Sequence, residues 1–284
     1  MLRKMAESII KSLLERFGYP IYTAQYGLAK GLKVTGDLGF LQFRHQAILE
    51  EDFLQDLELT GKIVYDIGAH IGIMALFFSR SVGQGGRVIA FEPNPQSCVT
   101  LHKNLDLNDL RNVTIAQVGL GDKRETKALV FGEHSRGAGS MDDTIQTQIL
   151  SEKGSKALQV QVEVYTLDEY VETNRLPIPD FVKIDVEGME YNVMLGMMYI
   201  LDQYSPTLFV EIHGATEEAK LANIQRVVDF LDSWAYDIYH VESGQTISTA
   251  TVHIAKEGHI YCTNTERRLD PSSPVPKKRG ELHD

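Results

Sequence analysis

Four short segments of the chain carry residue types that can do chemistry, at spacings that invite a common explanation. The first is VYDIGAHIGIMALFF, residues 64–78, where an apolar run ends in Asp66, turns through Gly68, Ala69, His70 and Gly72, and continues as an apolar helix. Glycine lets backbone approach a ligand closely, and a helix start offers free N–H groups at the positive end of its dipole. Such a turn suits a nucleotide-like ligand bearing a carboxylate; the plain alternative is a tight strand-to-helix connection. The second is VIAFEPNP, residues 88–95, in which Glu92 closes the next apolar run and Asn94 precedes Pro95. A carboxylate at that place can accept hydrogen bonds from both ribose hydroxyls of an adenosine. Asp122, in VGLGD after a third run, is placed either to accept from an exocyclic adenine amine or to serve a turn.

The third segment is FVKIDVEGMEY, residues 181–191, and the fourth is LFVEIHG, residues 208–214. Charges inside buried parallel strands are costly, because desolvating an unpaired ion costs several kcal/mol. Alternation nevertheless puts Lys183, Asp185 and Glu187 on one parity and Glu211 with His213 on another. If both strands are central, these groups converge at the carboxyl edge of the sheet, where open α/β folds bind ligands. An internal ion-pair network around Lys183 explains that lysine equally well, but it leaves the clustering of the other acids with His213 unexplained.

A dinucleotide cofactor fits poorly. The G-x-G-x-x-G fingerprint cradles a pyrophosphate, and counted from Gly68 its later glycines fall at His70 and Ile73. This disfavours an NAD-dependent oxidoreductase. A sulfonium cofactor has no pyrophosphate, and the looser D-x-G-x-x-x-G turn suffices to hold it.

The elements that must position these residues alternate. Lys62–Ile67, Arg87–Glu92 and Val113–Val118 read as strands, and Ile71–Val82 and Pro95–Leu107 as helices, with Asn94 the N-cap and Pro95 at the first helical position. The pattern breaks at about 125–165, where alternating runs flank the Gly/Ser-rich stretch Gly137–Ser140; this predicts an inserted antiparallel element or flap. It resumes with a strand at Asp180–Val186, a helix near Met189–Leu201, a strand at Thr207–Ile212, a helix across Glu217–Trp234 and a strand at Tyr236–Val241. His259–Thr263 is expected as an antiparallel strand at the sheet's edge.

The expected domain plan is an N-terminal, substrate-side helical extension over 1–59, a catalytic domain over 60–265 with the insertion inside it, and a disordered tail over 266–284. Residues 2–17 carry apolar side chains at helical spacing. A helix packed on its own domain is the favoured reading there, with a membrane-surface helix as the alternative. The 284 residues carry a net charge of -11, which repels nucleic acid and anionic membranes. Two distant cysteines, Cys98 and Cys262, fit neither a disulfide framework nor a thiolate metal site and point to a reducing, cytoplasmic setting.

In this order and spacing, the four segments resemble FkbM-type S-adenosylmethionine-dependent methyltransferases over roughly residues 60–215. The TLDEYV stretch at 166–171 followed by PDFVKIDVEGMEY is the most specific part of the match. The resemblance implies a Rossmann-like class I methyltransferase sheet, mostly parallel with a terminal antiparallel strand and helices on both faces. It also implies methyl transfer to a hydroxyl of a sugar, glycan, lipid or secondary metabolite. By position, Gly68, Ala69 and Gly72 look like the cofactor loop and Glu92 like the ribose acid; His70 departs from the family, which commonly carries asparagine there. On this reading His213 is the candidate base beside Glu211, since an ordinary histidine titrates near the working pH. Alternatively, Asp185 and Glu211 hold Mg²⁺, or His213 merely caps the strand turn. The runner-up from another class is a noncatalytic nucleotide-binding module whose acceptor cleft has decayed. Acceptor recognition is expected in residues 1–45 and the 125–160 region.

Overall fold

A computed structural model describes residues 19–36, 49–132, 139–151 and 157–264. The helical pattern at 2–17 and the expected tail at 266–284 lie outside the described residues. An antiparallel pair of two-residue strands, β1 (Tyr22–Thr23) with β2 (Lys33–Val34), and helix α1 (Leu49–Gln55) precede the main sheet. The sheet begins with β3 (Ile63–Ile67), α2 (Ile73–Val82), β4 (Arg87–Phe91), α3 (Pro95–Leu107) and β5 (Val113–Ala116). After an inserted region come α5 (Leu167–Asn174), β10 (Phe181–Ile184), α6 (Glu190–Leu195), α7 (Met198–Tyr204), β11 (Thr207–Glu211) and α8 (Glu217–Ser233). The sheet closes with β12 (Asp237–His240), β13 (Gln245–Ile247) and β14 (His259–Thr263).

These strands make one eight-stranded sheet in the order β13-β12-β14-β11-β10-β3-β4-β5. The five from β5 to β11 are mutually parallel, and β14 lies antiparallel to both its neighbours. Helices cover both faces, which is why the strands read as continuous apolar runs. Tyr65, Val182 and Leu208 pack toward Val227 and Leu231 of α8, whereas Val64, Phe181 and Phe209 pack toward Leu76 and Phe78 of α2. This is the expected Rossmann-like sheet, mostly parallel with helices on both faces.

Two expectations change. β14 is interior, between β11 and β12, because Ile260 and Cys262 need burial on the sheet (each 0% exposed); the short β13 takes the edge instead. The single helix expected over 189–201 is two, broken at Gly196, where a Cβ would sit 2.0 Å from the carbonyl oxygen of Gly121. The connection from 196 to 198 bends around that contact.

The inserted region forms a second, four-stranded sheet in the order β6-β9-β7-β8, from β6 (Gly119–Leu120), β7 (Glu125–Gly132), β8 (Gly139–Ser140) and β9 (Ala157–Tyr165). Helix α4 (Asp143–Ser151) follows β8. β7 and β9 form a long antiparallel pair, as expected, whereas β6 joins β9 in parallel. Leu129, Phe131, Met141, Val162 and Val164 make its small core together with Met189. Among the described residues no helix is long and apolar enough to cross a membrane.

Candidate active site

A cleft of about 270 Å³ opens at the carboxyl ends of β3, β4, β5 and β10. Its walls include Gly68, His70, Glu92, Asn94, Asp185 and Glu187, so the first three sequence signals meet there. The turn after β3 is held by the neighbouring strand: the N–H groups of Gly68 and Ala69 both donate to the carbonyl of Phe91, at 3.0 Å each. Gly68 has φ +85, and a Cβ on it would fall 1.7 Å from the carbonyl oxygen of Asp185. Close approach is indeed required, but to the strand next door. Gly72, at φ +91, starts α2, and a Cβ there would meet Leu101 of α3 at 2.0 Å. Its glycine serves helix packing, and neither Gly72 nor the buried Ala69 is part of the cleft wall.

Glu92 is buried, and each of its oxygens accepts one main-chain N–H, from His70 at 2.7 Å and from Asn94 at 2.7 Å. Burial pushes its carboxyl up to about 7 against the lowering effect of those two bonds. His70 adopts a left-handed backbone (φ 49), which turns its N–H onto Glu92. Asn94 caps α3 through Gln96, as expected.

Asp66 and Asp122 are not brought to the cleft. Asp66 is fully buried beneath the turn, 3.8 Å from the Lys183 amine and without a hydrogen bond to either oxygen. Burial pushes it up to about 6, although Lys183 pulls the other way. The two are register partners across β3 and β10, which is why they face each other. Asp122 is exposed and accepts from the side-chain amide of Asn192 at 3.1 Å. Val118 and Gly119, further up the same segment, supply the wall there instead.

The third and fourth signals converge on His213. Its Nδ1 lies 2.9 Å from Glu190, and its Nε2 lies 3.4 Å from Glu211, 3.7 Å from Glu187 and 3.8 Å from Asp185. Burial alone would lower the imidazole's pKa, but the surrounding carboxylates, Glu190 and Glu211 foremost, push it up to about 11. The carboxylates thus favour the protonated imidazole, the form in which the ring has no lone pair free to accept a proton. That environment favours a positioning role for His213 over the proton-accepting role expected of it, for a reason invisible one residue at a time. Asp185 also pairs with Lys183 at 2.8 Å, so the ion-pair network around that lysine is real and continuous with the histidine. Burial would lower the lysine amine's pKa, but Asp185 and Asp66 raise it.

Sequence reasoning missed several members of this network. Glu190 is wholly buried and accepts from Gly188 N–H, Asn223 Nδ2 and His213. His259, the register partner of Glu211 on β14, stacks on Phe209 and is clamped by Glu242, 2.6 Å from Nδ1. Its Nε2 faces Glu211 and Glu50 of α1, at 3.5 Å each. Burial opposes a charge on His259, yet Glu211 and Glu242 push it up to about 10. The two imidazoles hold Glu211 well below the usual carboxylate range although burial works against them, whereas burial raises Glu187 and Glu50. Glu187 itself has a left-handed backbone, φ 53. The DVEGME spacing carried the signal for Glu190. Nothing local marked Glu50, Glu242 or His259.

The chain matches one known protein family and several curated proteins in sequence. Residues 66–238 match the family described as the Methyltransferase FkbM domain. "Methyltransferase 1" of Beauveria bassiana is 31% identical over 144 residues, which are 47% of this chain and 57% of that protein. "Hexuronic acid methyltransferase AglP" of Haloferax volcanii is 29% identical over 155 residues, 55% of this chain and 57% of that protein. The chain therefore spans less than two thirds of the length of these curated relatives. Among solved structures, the methyltransferase FkbM of Methylobacillus flagellatus aligns with 74% of this chain and 45% of its own at 17% identity and a TM-score of 0.47.

Proposed function

Since the chain belongs to the FkbM methyltransferase family, we propose that it transfers a methyl group from S-adenosylmethionine to a hydroxyl of a small-molecule or glycan acceptor: a sugar, a lipid or a secondary metabolite. The observation that carries this reading is that Glu92 and the Asp185–Glu187 side of the His213 ring share one cleft.

The residues present fit the donor. Each Glu92 oxygen spends one lone pair on main chain and keeps another for a ribose hydroxyl. Phe91, Val118 and Leu120 offer apolar walls for adenine, and Gly68 brings bare main chain for the methionine end. Bound there, S-adenosylmethionine would supply an electrophilic methyl on a cationic sulfur. The chain's own work is then mainly to orient the acceptor, since attack geometry is worth about 7–11 kcal/mol. Glu187, raised by burial and on the cleft wall, is the carboxylate suited to take the hydroxyl proton. The His213 cation holds Glu187, Asp185 and Glu211 together around that point.

Calorimetric titration with S-adenosylmethionine, followed by a search for labelled methyl transfer to candidate acceptors, tests the proposal; a chain that takes up no donor overturns it. His213→Ala is expected to cut turnover about 100-fold or more while donor affinity stays within about twofold. Turnover near the parent level removes His213 from the chemistry.

A second reading has its own observation. One ligand atom each from Asp185, Glu211 and His213 lie within 4.8 Å of one another, so a divalent cation could take the place of the histidine's proton. Mg²⁺ suits the two carboxylates, whereas the imidazole nitrogen suits a transition metal better. Activity that survives exhaustive chelation eliminates this reading.

A further inference from the structure

The inserted sheet looks at first like acceptor-side decoration. Its contacts say otherwise. Leu129, Gly139 and Met141, from β7, β8 and the residue after it, stand on the wall of the same cleft as Glu92 and Gly68. Met141 presses on the opposite wall: a Cβ on Gly119 would lie 3.0 Å from its Sδ and Cε atoms. The small core of the insertion also takes in Met189 and Val186, which flank the Glu187–Gly188 turn.

That turn is fastened to the insertion at two points. The buried Ser140 hydroxyl donates to the carbonyl oxygen of Glu187 at 2.6 Å and accepts from the N–H of Asp142 at 2.9 Å. Helix α4 packs directly on Gly188, where a Cβ would meet Ile145 at 2.7 Å and Asp142 at 3.2 Å. A left-handed backbone at Glu187 is strained for a residue with a side chain and persists only where the surroundings over-determine it. Ser140 and α4 are those surroundings. Gln146 in turn ties α4 to the carbonyl groups of Ala128 and Ser140, at 2.8 and 3.2 Å.

We propose that the inserted sheet forms a wall of the methyl-donor site, with Leu129 and Met141 as donor-contact residues and Ser140 as the positioning residue that sets the Glu187 turn. The described parts of the insertion, residues 125–132 and 139–151, thus belong to donor binding, where the sequence had suggested acceptor recognition. A ligand entering the cleft then meets main-sheet backbone on one side and apolar side chains of the insertion on the other. The inference rests on the donor reading above, and its test separates the two.

The experiment is calorimetric titration with S-adenosylhomocysteine, the demethylated donor, which needs no acceptor. Met141→Ala is expected to weaken binding about tenfold through lost apolar contact. Ser140→Ala, a change of one hydroxyl that leaves the insertion's core intact, is expected to weaken it about three- to tenfold. Leu158→Ala, on the partly exposed β9, serves as the control within the same sheet and is expected to bind like the parent. Parent binding with both Ser140→Ala and Met141→Ala within twofold of it overturns the inference and leaves the donor reading standing. A parent chain that binds no S-adenosylhomocysteine overturns both.

Discussion

The two halves of the cleft are built by different means. At the ends of β3 and β4 the shape is set by main chain: the Gly68 and Ala69 amides on the Phe91 carbonyl, and the His70 and Asn94 amides on one carboxylate. At the ends of β10, β11 and β14 it is set by side-chain charge, with His213 and His259 sharing Glu211 and each backed by a further acid. A site made of backbone is stiff and indifferent to most substitutions around it. A site made of alternating charges depends on every member, because each ion is buried only on condition that its partner stays. The first kind suits a donor of fixed structure, and the second suits an acceptor whose proton must move.

The sharpest way to break this contrast is at Glu190. It is wholly buried and satisfies three donors at once, two of them on His213 and Asn223. Glu190→Ala leaves the partly buried His213 without its closest anion and the buried Asn223 amide without one of its acceptors, and is expected to cost about 3 kcal/mol of stability in denaturant titration. A loss below about 1 kcal/mol would mean that the charge ring is not a mutually dependent unit.

On the donor side the corresponding change is expected to strike binding most, with a smaller cost to the fold from the His70 and Asn94 amides it leaves unpaired. Glu92→Ala removes the carboxylate proposed to accept from two ribose hydroxyls, and affinity for S-adenosylhomocysteine should fall about 100-fold. The pH dependence refines the same point. The Glu92 carboxyl is pushed up to about 7, so it gains its charge as pH rises through that value. Donor affinity should therefore rise about tenfold between roughly pH 6 and pH 8, and flat affinity over that range would remove the ionised carboxylate from donor binding. Stability runs the other way. A buried acid with a raised pKa contributes most when protonated, and the contribution is lost as pH climbs from the ordinary carboxylate value through about 7. His213 adds to the same trend: its stabilisation is complete below the ordinary histidine value and is lost as pH rises through about 11.

The same division decides what could be read from the sequence. The strands, α3 with its Asn94 cap, and the Gly68 and Glu92 signals were legible because each is local: a run, a cap or a turn within a few residues. The charge ring was legible only in part. Asp185, Glu187, Glu211 and His213 lie on two strand ends that alternation could place. Glu50, Glu242 and His259 come from α1, the turn after β12 and β14, elements that meet only once the sheet is ordered. Charge state was not legible at all, since the imidazole of His213 is pushed up chiefly by Glu190, Glu211 and Glu187, which the fold brings together from separate segments.

The smallest expected effect is at Asp122, and it tests how far a local signal can mislead. An acid two residues beyond the third strand's turn invites an adenine contact, yet the chain bends at β6 so that Gly119 and Leu120 are buried along the cleft. Asp122 is carried past it to the surface, where Asn192 of α6 binds it. An exposed hydrogen bond of this kind is worth about 1 kcal/mol or less. Asp122→Ala should accordingly leave affinity for S-adenosylhomocysteine within about twofold of the parent. A tenfold loss would mean that the segment re-forms on binding, and that the donor side is not the preset backbone frame its hydrogen bonds describe.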